Sequence, residues 1–361
     1  MAILPGVVLA LLLLACSDQG ADTRTPSARP DPGNGLESTT EIIVTSEQGD
    51  RLAQKDNVRF LEGQADGTVI VVHPELRKQT IVGLGSSFTE SSAYVLAHLE
   101  PEQRLSVMEE IFGESGANFS LARTTIGATD FSVNGKYSYA DEEDPTLQQF
   151  SVEVDRDGFN QVDYPGIRDE SFDLLPMINE ALAIKKAQPE QDLRIVASAW
   201  TAPPWMKDIE DWYSSASPDG SVQGTGGSLK EEYIPIYADY LVRYLDAYRE
   251  EGVDIWGMTP VNEPEGNGGN WESMHFTPQT QGEFIKSHLG PALHQNGYSD
   301  LKLLIYDQNR DHLAYWTDTI LGNADVAKYV YGTAIHWYAS TFKVFENELE
   351  QLHEKFPSFD R

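Results

Sequence analysis

Six β-prone runs of strand length alternate with helix-patterned segments, and this alternation most restricts the fold. The runs fall at 80–88, 119–126, 193–200, 253–261, 301–307 and 331–338. The clearest helix pattern spans 231–251, where Ile234, Tyr237, Leu241, Tyr244, Leu245 and Tyr248 recur at helical spacing and Gly252 supplies a stop. A second begins at Ser171 with Leu174, Leu175, Ile178 and Leu182 on one stripe. Thr277-Pro278 opens another as an N-cap followed by proline, and a last one covers roughly 343–354. Strands joined through helices cannot pair as hairpins, so the pattern specifies a parallel sheet with helices covering it.

Two architectures satisfy that rule, an open doubly wound sheet and a closed (β/α)8 TIM barrel. A dinucleotide-binding sheet calls for GxGxxG after its first strand; Gly83-Leu84-Gly85-Ser86-Ser87-Phe88 lacks the last glycine. Polar or aromatic groups instead occupy the C-terminal end of one strand after another: Arg123 and Thr124, Trp200, Asn262-Glu263, Asp307, and His336-Trp337-Tyr338. Barrel enzymes assemble their sites from those ends. The expectation is an α/β barrel represented here by six βα units over 80–361, where a full barrel has eight. Upstream, EIIVTS and GTVIVV within 41–79 read as strands of a flanking β element.

The N-terminal stretch MAILPGVVLALLLLA is uncharged and shorter than the about twenty residues needed to span a bilayer, so it reads as a signal segment. Its ending, Leu13-Leu14-Ala15-Cys16, resembles a bacterial lipobox, which implies lipid attachment at Cys16; an ordinary cleaved signal is the alternative. Residues 17–40, rich in Pro, Gly, Asp and Ser, read as a flexible tether. The expected location is therefore outside the cytoplasm, anchored to a bacterial membrane through Cys16 or else periplasmic or secreted. With 26 Lys plus Arg against 57 Asp plus Glu, the net charge of −31 repels phosphate backbones and argues against nucleic-acid partners. One cysteine excludes an internal disulfide framework, and the eight histidines show no metal-ligand spacing, so neither metal nor cofactor is expected.

Chemistry concentrates in Trp256-Gly257-Met258-Thr259-Pro260-Val261-Asn262-Glu263-Pro264. A buried strand there delivers an amide and a carboxyl side by side. Glycoside hydrolysis needs a carboxylic acid to protonate the leaving oxygen, and an adjacent Asn suits a sugar hydroxyl. A turn that merely caps the next segment is the plainer reading of this motif alone. Sugars present flat CH faces rimmed by hydroxyls, so their sites pair aromatic platforms with planar polar groups. Trp200, Trp271 and Trp337 could be the platforms, and Arg123, Asp130, Asp307 and His336 the hydroxyl partners. Arg123 and Asp130 equally suit a structural ion pair.

These motifs together resemble glycoside hydrolase family 30. The resemblance rests on IVGLGSSFTE from Ile81, ASAWTAPPWMK from Ala197, Asn262-Glu263-Pro264 and Ala334-Ile335-His336-Trp337-Tyr338. Asp130-Phe131-Ser132 with Tyr139-Ala140-Asp141 is similar to the glucosylceramidase branch. The resemblance implies a retaining β-glycosidase acting on a carbohydrate or glycolipid. It makes Glu263 the acid/base, with Asn262 beside it, and implies that Arg123, Asp130, Trp200, Asp307, His336 and Tyr338 line the sugar subsite. It also implies a nucleophilic carboxylate on a seventh strand, beyond Arg361, so this chain is expected to be a fragment without that residue. Glu354 falls on a polar helix face and Asp360 in an unpatterned tail, and neither is expected to replace it. The alternatives are a noncatalytic carbohydrate-binding surface lipoprotein and, more remotely, a solute-binding lipoprotein.

Overall fold

The computed structural model describes residues 39–59, 67–188, 192–266 and 268–359. The signal segment, Cys16 and nearly all of the 17–40 tether lie outside the described residues. The chain divides into two units, Met1–Arg77 and Lys78–Arg361.

The described part of the first unit contains an antiparallel pair, β1 (Thr39–Val44) and β2 (Ala53–Arg59). The EIIVTS run therefore becomes a strand, but GTVIVV does not. Val69, Ile70, Val71 and Val72 are exposed, and among the described residues no strand pairs with them. β-propensity alone leaves backbone amides and carbonyls unsatisfied, and a run without a partner gains nothing by extending into a strand. The partner of β1 is instead 53–59, a polar run that the hydropathy pattern does not mark.

In the second unit six strands form one sheet: β3 (Gly85–Phe88), β4 (Leu121–Ile126), β5 (Arg194–Ala199), β6 (Gly257–Thr259), β7 (Lys302–Asn309) and β8 (Gly332–His336). Each pairs in parallel with the next in sequence, from β3 to β8. A doubly wound sheet reverses its strand order at a switch point; this order never reverses, which is the winding of a barrel wall. Among the described residues β3 and β8 do not pair, so six strands make an incomplete barrel.

Around the sheet run α1 (Glu90–Ala97), α2 (Pro101–Phe112), α3 (Leu174–Lys186), α4 (Ile234–Glu250), α5 (Pro278–Phe284), α6 (Gly290–Gln295), α7 (Leu313–Leu321), α8 (Ala324–Ala327) and α9 (Glu346–Lys355). In α4, Tyr237, Leu241, Tyr244, Leu245 and Tyr248 are all buried, as the helical spacing requires. The helix ends where Gly252, at φ +87°, turns the chain and its N–H bonds the Arg249 carbonyl at 3.1 Å. Thr277 caps α5 through a reciprocal bond with Thr280. α3 starts at Leu174, the first residue of its apolar stripe and three residues after the expected start at Ser171, because the Asp173 side chain accepts the Leu174 N–H at 2.7 Å and fixes the first turn there.

Strand boundaries also tighten. The first run narrows from 80–88 to Gly85–Phe88, with Ile81 and Leu84 exposed at an edge that lacks a further partner among the described residues. Gly85 is required where it stands: a Cβ would lie 1.4 Å from the Leu121 carbonyl oxygen of β4.

The long connection from β4 to α3 is anchored inside the protein. Asp155 accepts hydroxyl bonds from Tyr137 at 3.0 Å, Tyr139 at 2.5 Å and Tyr248 at 2.6 Å, joining the connection to α4. Nearby, the Asp173 carboxyl is pushed up to about 8, chiefly by burial, with the Glu90 and Asp155 charges adding to it against the bond from the Leu174 amide. A carboxyl raised on folding costs nothing below its unfolded pKa, and its penalty grows as pH climbs from about 4 to about 8. Asp173→Asn keeps the cap and removes the charge. It is expected to melt a few degrees above wild type at pH 8 and to lose that advantage at pH 4, as measured by calorimetric melting across that range.

Candidate active site

The C-terminal ends of β4 to β8 converge on one ion network centred on the buried Asp307. Arg123 projects from β4 and bonds the Ser198 hydroxyl of β5 through Nε at 3.0 Å. Its Nη2 reaches Asn262 Oδ1 at 2.8 Å and Asp307 Oδ2 at 2.8 Å. Thr259 on β6 donates to the same Asp307 oxygen at 2.6 Å. The other oxygen, Oδ1, faces His336 Nε2 at 2.9 Å, and His336 Nδ1 faces Glu263 Oε1 at 3.0 Å. The chain of contacts therefore runs Arg123–Asp307–His336–Glu263 across four strand ends.

Two backbone distortions aim this network. Asp307 sits at a register shift between Tyr306 and Gln308, with Tyr306 at φ +74° and Asp307 at φ +56°. A bulge of this kind re-aims one side chain while the strand continues, here to Asn309 rather than ending at Asp307. Glu263 adopts φ +49°, and its N–H bonds the Asp307 carbonyl at 3.0 Å. Non-glycine residues in the left-handed region cost energy and persist where neighbours overdetermine them. The Asn262 N–H, bonded to the Ala199 carbonyl at 2.6 Å, secures the preceding residue.

Electrostatics follow from burial. Burial alone would raise the Asp307 carboxyl, but the Arg123 guanidinium and the His336 ring hold it well below the usual carboxylate range. Burial likewise pushes His336 down, and the Asp307 and Glu263 carboxyls overcome it, lifting the imidazole to about 9. At neutral pH His336 is an imidazolium donating from both nitrogens, which fixes the rotamers of both carboxyl partners. Asp130 keeps an exposed edge; partial desolvation first, and the Glu263 charge after it, raise its carboxyl, opposed by the bond it accepts from Trp200.

A cavity of about 600 Å³ opens above the network. Arg123, Asp130, Trp200, Asn262, Glu263, His336 and Tyr338 line it, together with Phe131, Trp271 and Asn309. Seven of the eight residues singled out from the sequence as catalytic or sugar-lining thus share one wall. Asp307 is the exception: only 3% exposed, it stands one layer beneath and borders a second cavity of about 450 Å³ on the inner face of the sheet. Trp337 borders that second cavity and does not line the first. Trp200 is not an open platform, being 5% exposed with the Arg123 guanidinium 4.9 Å from its ring centre and Phe131 edge-on at 5.6 Å. The ion pair formed by Arg123 is with Asp307 rather than Asp130.

Sequence reasoning did not reach Ser198 and Thr259, small hydroxyl residues inside apolar strands that only the packed sheet brings under Asp307. It also passed over Lys207. This fully buried lysine donates to the carbonyls of Trp212, Gly226 and Ser273 at 2.8, 2.9 and 3.0 Å, and burial lowers its pKa to about 7. Through Ser273 it ties the loop after β5 to the loop after β6 that carries Trp271.

The Glycosyl hydrolase family 30 TIM-barrel domain matches residues 81–360 of the chain. The lysosomal acid glucosylceramidase of Mus musculus is 29% identical over 296 residues, covering 81% of this chain and 52% of its own. An endo-1,6-beta-D-glucanase of Neurospora crassa is 32% identical over 273 residues, covering 74% and 50%. Among solved structures, SrfJ from Salmonella typhimurium superimposes with a TM-score of 0.72 at 25% identity, over 86% of this chain and 62% of that one. The chain spans between about half and three-fifths of the length of the curated relatives it matches.

Because folding raises the His336 pKa from 6.5 to about 9, the stabilisation it gives is complete below about pH 6.5 and fades as pH rises through about 9. Ring-nitrogen NMR is expected to find both His336 nitrogens protonated at pH 7.5 and to locate the transition near pH 9. Arg123→Ala removes one partner of the buried Asp307 carboxylate and is expected to cost about 3 kcal/mol in urea unfolding, near the low end for a broken buried pair because His336 remains.

Proposed function

The chain belongs to glycosyl hydrolase family 30, and on that premise we propose that its cavity is the sugar-binding and acid/base portion of a retaining β-glycosidase site. The observation that carries this reading is Glu263 bonded to a half-buried, charged His336 in the wall of a cavity shared with Arg123, Asn262 and Tyr338. Glycoside hydrolases of this family act on O-glycosyl bonds, and β-glucosides, glucosylceramide-like glycolipids and β-glucans are the proposed substrates.

In the proposed reaction Glu263 first gives its proton to the glycosidic oxygen as the aglycone leaves and the nucleophilic carboxylate takes the sugar, then takes a proton from the water that releases the sugar. His336 holds its carboxyl in place through Oε1. Asn262, whose carbonyl oxygen is taken by Arg123, can donate its amide to a hydroxyl beside the reacting carbon. Asp130 offers an acceptor to more distant hydroxyls, and Tyr338, 63% exposed, offers an open aromatic face.

Retention requires a second carboxylate about 5 Å from the first. Among the described residues lining the cavity, Glu263 and Asp130 are the carboxyls. Asp307 beneath them has both oxygens engaged by Arg123, Thr259 and His336. We therefore assign the nucleophile to a carboxylate outside the described residues. The same observation favours a second reading, a noncatalytic carbohydrate-binding protein. In either reading Cys16 is proposed as the lipid attachment point that holds the protein at a membrane surface, and Cys16→Ser is expected to release it to the soluble fraction.

The 361-residue chain is expected to bind gluco-configured ligands and to show no turnover of an aryl β-glucoside. A longer polypeptide that carries the proposed nucleophile is expected to turn it over. In that version Glu263→Gln should slow substrates with poor leaving groups by about 10²–10⁴-fold, and azide should restore much of the rate with an activated one. Turnover by the short chain would place the nucleophile within it. An unaffected Glu263→Gln would remove Glu263 as acid/base, and binding without turnover in the longer version would leave the noncatalytic reading.

A further inference from the structure

The turn from β3 into α1 carries a buried carboxylate that the proposed reaction does not use. Glu90 is the first residue of α1, where the helix N-terminus favours an acidic group, and Thr89 already caps that helix by accepting the Ser92 N–H at 3.0 Å. A glutamate in the first turn ordinarily points to water. Glu90 instead is 2% exposed and reaches more than forty residues along the chain. Its Oε2 accepts the backbone N–H of Val133, in a short bond, and that of Asn134 at 3.1 Å. The neighbouring Ser91 hydroxyl donates to the Phe131 carbonyl, also in a short bond.

Two adjacent side chains thus grip three backbone groups of a single loop, and that loop builds one wall of the cavity. Asp130 and Phe131, both lining residues, lie three and two positions before Val133, the first of the Glu90 contacts. The Phe131 ring packs edge-on against Trp200, which also bonds Asp130 and faces the Arg123 guanidinium. The rest of the loop is held locally: Thr129 and Ser132 close a small turn, with the Thr129 N–H on Ser132 Oγ at 2.9 Å, and Tyr164 bonds the Asn134 side chain at 2.7 Å. Neither of those ties reaches the barrel wall; the Glu90–Ser91 pair, directly after β3, does, beside the bond that Asp130 accepts from Trp200.

The cost of this arrangement argues for a purpose. Burial raises the Glu90 carboxyl, although the Asn134 and Val133 amides pull it back. Stability alone is served as well or better by an apolar side chain of similar volume than by a buried charge. Two converging amides, by contrast, need an acceptor, and without it both become buried unsatisfied donors.

We propose that Glu90 is a positioning residue, the clamp that sets Asp130 and Phe131 at the mouth of the saccharide cavity. The proposal rests on the reading of that cavity as a sugar site. It places the residue's effect on ligand affinity through the loop, with no contact between Glu90 and the ligand.

The test compares the full chain with Glu90→Ala, Glu90→Gln and Ser91→Ala. The probe is 1-deoxynojirimycin, a gluco-shaped iminosugar, titrated by calorimetry, and amide hydrogen exchange is followed on each protein. Glu90→Ala is expected to weaken the probe about tenfold or more, the equivalent of one lost hydrogen-bond anchor. Exchange over 129–134 should quicken by about 10–100-fold while β5 stays protected. Glu90→Gln, which keeps an acceptor oxygen in the same place, should return both readouts to within about threefold of wild type, and Ser91→Ala should move both in the same direction by less. Unchanged affinity in Glu90→Ala, or exchange that quickens equally in β5, would overturn the proposal by making the residue merely structural. If Glu90→Ala does not fold, a Glu90→Gln protein that loses affinity with its loop still protected, or a Ser91→Ala protein unchanged in both readouts, overturns it as well. Failure of wild type itself to bind the probe would bring down the saccharide reading, and Glu90's role at the site with it.

Discussion

The Asp307 carboxylate, buried among the strand ends, is the group around which the site is arranged. An isolated carboxylate in that position would be too costly to keep charged, so the sheet surrounds it with a guanidinium, an imidazolium and a hydroxyl, each from a different strand. Satisfying that one charge forces Arg123 flat against Asn262, turns His336 so that its second nitrogen meets Glu263, and requires β7 to bulge. The residues that face the cavity are therefore fixed by a group that does not face it.

Positioning then spreads outward through the loops. The loops after β4, β5 and β6 are each held by a buried polar anchor. Asp155 gathers three tyrosine hydroxyls, Lys207 spends its three protons on three carbonyls, and Glu90 collects two amides. Irregular backbone at membrane-like dryness has to find such partners or remain exposed. Asp130 and Trp271 stand on loops held in this way and Tyr338 just after β8, all three facing the cavity.

How much of this is legible in the residues depends on the range of the interaction. The six barrel strands, the α4 stripe and its glycine stop come from local periodicity, and so does the placement of Glu263, Asp307 and His336 at strand ends. The failure at 67–72 has the same origin: a β-branched run signals willingness to extend, but a strand exists only when another backbone lies alongside. Ser198, Thr259, Glu90 and Lys207 carry no local signal. A serine or threonine in a strand, a glutamate in a first turn and a lysine after Trp-Met each look ordinary, and their partners lie 61, 48, 44 and 66 residues away.

By itself, then, the sequence determined the order of elements, the parallel winding and the set of chemical groups delivered to one end of the sheet, because periodicity and strand polarity act between near neighbours. Tertiary structure decided which of those groups touch: that Arg123 serves Asp307 and not Asp130, that Trp200 is covered rather than open, and that Asp307 lies under the cavity instead of in it. Those choices turn on a bulge, three left-handed residues and the desolvation of one charge, quantities that have no value until distant strands are packed together.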